Sequence, residues 1–354
     1  MTHSFHLFAG DLWLELSFRA PAVGARSLLR CCQAGAFNNK TKMLRSKVLF
    51  LLCLILATSH LFAAEENLKN RGICVREANL YLSPDLNSQR LDTVARGREV
   101  AILETVNNWL HVIASITRER EVTGWMLDKG IVRQSTPNGD QIVFGEAVDS
   151  ESEATRRHGR KGADQDAQRL YARMAEYFPQ SPYAAEALFR AADIQWQVER
   201  EEAFSRPSAR ERDPNMRHQI EEDFMKQVIK KYPRTKWADL AAYNLIDNKI
   251  CGDWQGQTKC PEKETEIYLK YAEEHPQSPK TAEALYNAAW RQAALVSLYK
   301  SDNDTKKAGE AQAKATQLAQ RITQQFPQSD FGPRATRLLY MLQQSIPAYG
   351  PSTD

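Results

Sequence analysis

Residues 178–192 read FPQSPYAAEALFRAA, and the phrase returns three times: YPRTKWADLAAYNLI at 232–246, HPQSPKTAEALYNAA at 275–289 and FPQSDFGPRATRLLY at 326–340. Each copy has an aromatic residue or His, then Pro, then Ser or Thr two positions on, then a run rich in Ala. The pyrrolidine ring disfavours the helical conformation in the residue before it, so a helix arriving at Phe178, Tyr232, His275 or Phe326 stops there. Two residues after the proline, Ser181, Thr235, Ser278 and Ser329 are placed to cap a new helix by accepting a backbone N–H bond. In Ser181-Pro182 and Ser278-Pro279 a second proline stands where its missing N–H costs nothing.

The segments ahead of these turns carry apolar residues at helical spacing. Ala167, Leu170, Tyr171, Met174 and Phe178 form one stripe; Ile220, Phe224, Val228, Ile229 and Tyr232 form another. Leu318, Ile322 and Phe326 repeat the pattern, and a shorter version runs through Ile267, Tyr268 and Tyr271. Every phrase is therefore the turn of a helical hairpin, marked by Pro179 with Ser181, Pro233 with Thr235, Pro276 with Ser278 and Pro327 with Ser329. The small Ala side chains let the second helix approach its partner. One hairpin cannot bury both apolar faces, so neighbours are expected to stack into a solenoid over 164–345.

The phrase P-x-S-x-x-A-x-x-A resembles the tetratricopeptide (TPR) units of envelope proteins, including outer-membrane assembly lipoproteins and periplasmic coordinators of wall synthesis. The resemblance covers about 180 residues. Its prolines lie 54, 43 and 51 residues apart, against about 34 for a TPR unit. The surplus is assigned to longer helices or to insertions at 205–215, between Cys251 and Cys260, and around Asp302. A TPR array implies a concave groove that receives a protein partner, with Trp196, Trp237, Trp254 and Trp290 either exposed as anchors or filling space between helices.

Ahead of the helices, 72–134 has a β texture of short apolar runs broken by turn residues. A small all-β barrel is expected, with Val100, Ile102, Trp109, Val112 and Trp125 as its core. NLYLSPD, ARGREVAIL, NNWLHV and GWMLDKGIV, with Gly97, Trp109, Gly124 and Trp125 in order, resemble the landmarks of bacterial SH3-like (SH3b) domains. Tyr81 stands where that family usually has Arg. The resemblance implies association with peptidoglycan or wall enzymes. Tyr81, Trp109 and Trp125 are the candidate frame of a ligand cleft, an alternative to the core role of the two tryptophans. The fold class is thus multidomain: an SH3-like barrel, a polar linker at 135–163 containing the basic run 156–162, the helical repeats, and a tail at 346–354.

From Met43 the chain reads MLRSKVLFLLCLILATSHLFAAEEN. Two cations, ten continuous apolar residues from Val48 to Ala57 and a small-residue end have the form of a secretory signal peptide at 43–64. The apolar run is short for a bilayer span, so no integral membrane span is expected after cleavage, and the retained-anchor reading is the alternative. Residues 1–42 fit neither signal nor domain and are read as a mis-assigned start or a disordered extension. Seven of the 47 Lys and Arg and two of the 44 Asp and Glu lie within 1–64, leaving 40 against 42. A body so nearly neutral gives no case for nucleic-acid binding.

Of six cysteines, Cys31, Cys32 and Cys53 precede the mature chain. Export to an oxidising compartment permits a disulfide, and Cys251 and Cys260, flanking the polar loop of CGDWQGQTKCP, are the expected pair. Cys74 is left as a buried thiol in a strand. No catalytic, metal or cofactor residues are assigned: GxSxG, HExxH and phosphate-binding loops are absent, and SDNDTKK lacks the Gly and Glu of a calcium loop. His111, on an apolar strand, is read as a core or rim histidine. The expected function is a non-enzymatic periplasmic or envelope scaffold. The alternatives are a component of an outer-membrane protein assembly complex and a wall hydrolase. Expression in a secreting host should give a chain beginning after Ala63 or Ala64; an intact mass that retains 43–64 would overturn the cleavage reading.

Overall fold

The computed structural model describes residues 70–117 and 119–350; the expected signal peptide and the stretch before it lie outside them. Seven strands come first: β1 (Arg71–Cys74), β2 (Ala78–Tyr81), β3 (Arg90–Val94), β4 (Glu99–Val106), β5 (Trp109–Ser115), β6 (Glu121–Leu127) and β7 (Ile131–Val132). They hydrogen-bond in the order β3-β2-β6-β5-β4-β1-β7, with antiparallel pairing throughout the registered ladders. The sheet is a curled half-barrel.

Two compact units divide the chain. The first holds 77–94 and 98–129 with the start of β1. Its core follows strict alternation along the strands: Leu80, Val94, Val100, Leu110, Val112, Ala114 and Met126 are all fully buried. Of the residues expected in this core, Val100, Val112 and Trp109 are buried, Trp109 at 9%, whereas Ile102 and Trp125 are part-exposed, Trp125 lying one residue away in register from the buried Met126. At Gly124 a Cβ would stand 2.9 Å from the Tyr81 carbonyl and 3.1 Å from Leu91, so only glycine lets β2 cross so close to β6.

The second unit contains Ile73–Arg76, Ala95–Gly97 and everything from Gly130 onward. The end of β1 pairs with β7 through Ile73–Val132 and Cys74–Ile131. Nine helices follow among the described residues: α1 (Gly139–Thr155), α2 (Ala163–Tyr177), α3 (Ala184–Ser205), α4 (Asp223–Lys231), α5 (Lys236–Asn244), α6 (Lys259–Glu274), α7 (Thr281–Ser301), α8 (Thr305–Gln325) and α9 (Phe331–Gln343). All four phrases are turns between paired helices. The residues before their prolines share one backbone conformation: φ/ψ are −127/57° at both Phe178 and Tyr232, −126/58° at His275 and −132/47° at Phe326.

The eighth position after Pro in each phrase is Ala187, Ala241, Ala284 or Ala335, and all four are 0% exposed. The fifth position is small as well: Ala184, Ala238, Thr281 and Gly332. At Gly332 an added Cβ would lie 2.7 Å from the Pro327 carbonyl, which shows how closely the new helix passes over its own turn. One core then runs from the end of α5 to α9, joining Ile246, Tyr268, Leu285, Leu318, Ile322 and Leu338 among others. Successive hairpins share apolar surface that neither could bury alone.

Several expectations need correction. Of the four expected caps, only Thr235 is a side-chain N-cap, accepting from Ala238 N–H at 3.2 Å. Ser181 and Ser278 instead accept from the amides of Tyr183 and Lys280, because with proline next in line the chain makes one more turn before α3 and α7 begin. Ser329 donates back to the Phe326 carbonyl. The expected linker at 135–163 is mostly α1. Its Val143, Ala147 and Ser150 are buried at spacings of four and three, and the acidic residues that made it read as polar lie on its other faces. Phe144 packs on Tyr171 and Tyr183, and Glu151 accepts from the Tyr171 hydroxyl at 2.6 Å and from Arg190 at 2.7 Å. The insertion expected around Asp302 is a short turn in which Asp304 caps α8, so the surplus length there is helix: α7 and α8 have 21 residues each.

Ala284→Leu inserts three carbons where no space exists and should lower stability by about 1–3 kcal/mol. Urea unfolding checks this, with exposed Lys314→Leu on α8 as the neutral comparison.

Candidate functional site

Alternation that sends Leu110 and Val112 inward sends Trp109, His111 and Ile113 to the opposite face of β5. The register then fixes who meets whom. His111 pairs with Trp125 on β6 and with Glu104 on β4, Trp109 pairs with Leu127 and Val106, and Tyr81 on β2 pairs with Trp125. The His111 ring stacks on Trp125 with centroids 4.7 Å apart and planes 12° apart. Tyr81 meets Trp109 edge-on at 5.7 Å. Each such pair contributes about 0.5–1.5 kcal/mol beyond the area it buries.

The structure therefore brings Tyr81, Trp109 and Trp125 together as one aromatic cluster, with Trp109 at its buried end. Trp109 is the most buried at 9%, while Tyr81, His111 and Trp125 remain part-exposed. His111 and Glu104 belong to this surface too, with His111 Nδ1 3.4 Å from Glu104 Oε1. Sequence reasoning treated His111 as a core or rim residue. The spacing Trp109-x-His111 on one strand was the signal that joins it to the tryptophan.

Beside this surface the β2–β3 loop is ordered by its own short side chains. Asp85 accepts from Asn87 N–H at 2.9 Å, Ser88 Oγ accepts from Ser83 N–H at 3.1 Å, and Leu82 N–H reaches the Gln89 carbonyl at 2.9 Å. Held this way, the loop leaves Leu82 and Leu86 each 61% exposed. An apolar loop next to part-exposed rings is a surface of the kind that takes a ligand.

In the helical unit the four tryptophans are not exposed anchors. Trp196 is 1% exposed and Trp254 7%. Trp237 is part-buried, 5.5 Å from Phe189 and beneath the Lys236 ammonium, and Trp290 is part-buried against Trp254. Cys251 and Cys260 are joined in a disulfide across Cα atoms 6.1 Å apart. The loop they close is bound to the 205–215 insertion: Gly252 N–H donates to the Glu211 carbonyl and Asp253 N–H to the Arg210 carbonyl. A Cβ on Gly252 would come within 2.2 Å of the Ala209 carbonyl, so the contact admits only glycine. Two insertions read separately in the sequence thus form one substructure.

Its inner side holds a buried ion pair. Glu264, 1% exposed, accepts from Arg291 Nε at 2.6 Å through one oxygen. Its other oxygen accepts from Cys251 N–H at 2.9 Å and Trp254 Nε1 at 3.2 Å. Next to the pair is a pocket of about 270 Å³, lined by the 251–254 loop, Glu264, Trp290, Arg291 and Tyr349. Among the described residues no group of three or more His, Cys, Asp or Glu is placed to hold a metal, and no helix is long and apolar enough to cross a membrane. The remaining cysteine, Cys74, is fully buried in β1, and burial pushes its thiol up to about 12.

No known family profile matches this chain, and no curated protein matches it. Among solved structures, the de novo designed helical repeat protein DHR64 is 16% identical, with a TM-score of 0.21 over 58% of this chain and 93% of that one. The DHF79 filament is also 16% identical, with a TM-score of 0.20 over 56% of this chain and 95% of its own.

Gly124→Val drives a side chain into the Tyr81 carbonyl and should lower stability by about 1–3 kcal/mol. Near-UV circular dichroism should lose the Tyr81–Trp109 signal more than Ala101→Val does.

Proposed function

We propose that this chain is a non-enzymatic scaffold of a bacterial cell envelope, in which an SH3b-like β unit docks on peptidoglycan and TPR-like helical repeats recruit a protein partner. The observation that carries the reading is the aromatic surface of Tyr81, Trp109, His111 and Trp125. Tyr81, His111 and Trp125 keep part of their rings in solvent, and clustered exposed apolar surface marks an interaction site. A glycan–peptide polymer offers sugar faces for the rings and amide groups for His111 and Glu104.

The helical unit supports the recruiting half. Hairpins that share one core make a rigid scaffold from repeated elements, and such scaffolds bind through extended surfaces. The cysteines favour binding over chemistry. A nucleophilic cysteine needs an accessible thiolate, whereas Cys74 is buried with a raised pKa and Cys251 and Cys260 are consumed in their bond. The sequence at 43–64 supports export.

Cosedimentation of the mature protein with purified sacculi tests the wall half. Retention is expected, reduced about tenfold by Trp125→Ala or Tyr81→Ala, the range of a binding hot spot. Folded wild type that stays in the supernatant would refute it. Crosslinking mass spectrometry on whole envelopes should place the partner's crosslinks on lysines of α4–α9; crosslinks confined to the β unit would count against recruitment by the repeats.

A further inference from the structure

The tail after α9 turns back and packs on the helices. α9 ends in a left-handed turn at Ser345, φ 57°, with Ile346 N–H donating to the Met341 carbonyl, a common way for a helix to satisfy its last carbonyls. From there the chain runs in solvent, with Gln343 to Pro347 all exposed, and it re-enters at Ala348 and Tyr349. Ala348 packs against the shared core. Tyr349 lies against two further apolar clusters, one holding Trp254 and Ala294, the other Leu295 and Tyr299. Its ring centroid is 5.2 Å from that of Trp254, with planes 37° apart, and Trp254 is in turn 5.4 Å from Trp290.

Side-chain packing alone holds this segment down. Among the described residues no hydrogen bond, from backbone or side chain, joins 347–350 to the rest of the chain. A stretch kept in place by one ring and one methyl group opens far more easily than the hydrogen-bonded helices beside it. Its seat does not open with it. The disulfide, the backbone bonds from Gly252 and Asp253 to the 205–215 insertion, and the two bonds to Glu264 keep Trp254 where it is. Lifting the tail therefore bares a preformed apolar seat on Trp254 and Trp290, and a preformed seat spares a ligand part of the entropy of ordering it.

The present occupant shows what fits. Residues 343–351 read QQSIPAYGP, an uncharged run with an aromatic ring two places after a proline. The lining beside Tyr349 contains Glu264, Arg291 and Asp253, one negative charge in excess. An acidic segment would be repelled there, because like charges brought together select against the wrong partner. A large ring set in a pocket is also the commonest anchor of a protein contact.

We infer that residues 345–350 form an autoinhibitory strap: Tyr349 covers a peptide-binding seat on Trp254 and Trp290, and a partner's extended, non-acidic segment takes the seat by inserting an aromatic ring in its place. This rests on the recruiting role proposed for the helical unit, and it names where the partner is held and by what.

Fluorescence anisotropy with a labelled QQSIPAYGP peptide tests the strap. The full chain carrying Tyr349→Ala should bind the peptide at least about tenfold more tightly than wild type, whose own tail competes at the roughly millimolar effective concentration of a short tether. Tyr349→Phe keeps the ring and should bind as weakly as wild type. A chain ending at Gln344 serves as a second open form and should match Tyr349→Ala, with far-UV circular dichroism unchanged in both. A peptide with alanine in place of its tyrosine should not bind. The inference is overturned if neither open form binds the peptide at about millimolar concentration, if wild type binds it as tightly as the open forms do, or if the alanine peptide binds equally well. The recruiting role has its own test in the crosslinks to α4–α9, so the two can fail separately.

Discussion

A proline ring pressing on the backbone of the residue before it governs the helical unit. The clash is local and steric, so it acts alike wherever it occurs, and the four stops have nearly the same φ and ψ. Once a helix has stopped in that conformation, the chain turns over four to six residues and the next helix starts across the turn it has just made. That crossing explains why small residues stand at the fifth position and alanine at the eighth. The closeness of approach that the alanines permit lets the later hairpins share one core, from the end of α5 to α9.

Legibility in the sequence followed the range of the forces involved. The turns were readable because proline sterics and helical apolar spacing act within a few residues. The disulfide was readable because its partners are close along the chain and share a polar loop. Helix α1 was missed because its buried stripe is Val143, Ala147 and Ser150, too small and too polar to outweigh the acidic residues around it. Whether the tryptophans of the β unit serve the core or a cleft stays open in the sequence, because alternation gives two sets of residues and both carry large apolar mass. Trp109 and Trp125 lie one step out of phase with Leu110 and Met126, yet Trp109 is buried while Trp125 is part-exposed.

Long-range contacts left no trace that spacing could reveal. Gly252 fits under the carbonyls of Ala209 and Glu211 through the folding of two insertions onto one another, about forty residues apart in sequence. The partnership of Glu264 with Arg291 depends on α6 and α7 lying side by side. Both features bear on the pocket beside the disulfide, whose polar floor exists only because a buried carboxylate is satisfied from three directions. Such a group is stable only while its donors persist, which ties Trp254, Cys251 and Arg291 into one unit of substitution.

A free thiolate attacks an existing disulfide and exchanges partners, so a thiol that stays enclosed and protonated cannot scramble one. Cys74 is sealed within β1, and burial pushes its pKa up to about 12. The folded strand thus withholds a competitor from the bond between Cys251 and Cys260, a cross-link about 180 residues downstream.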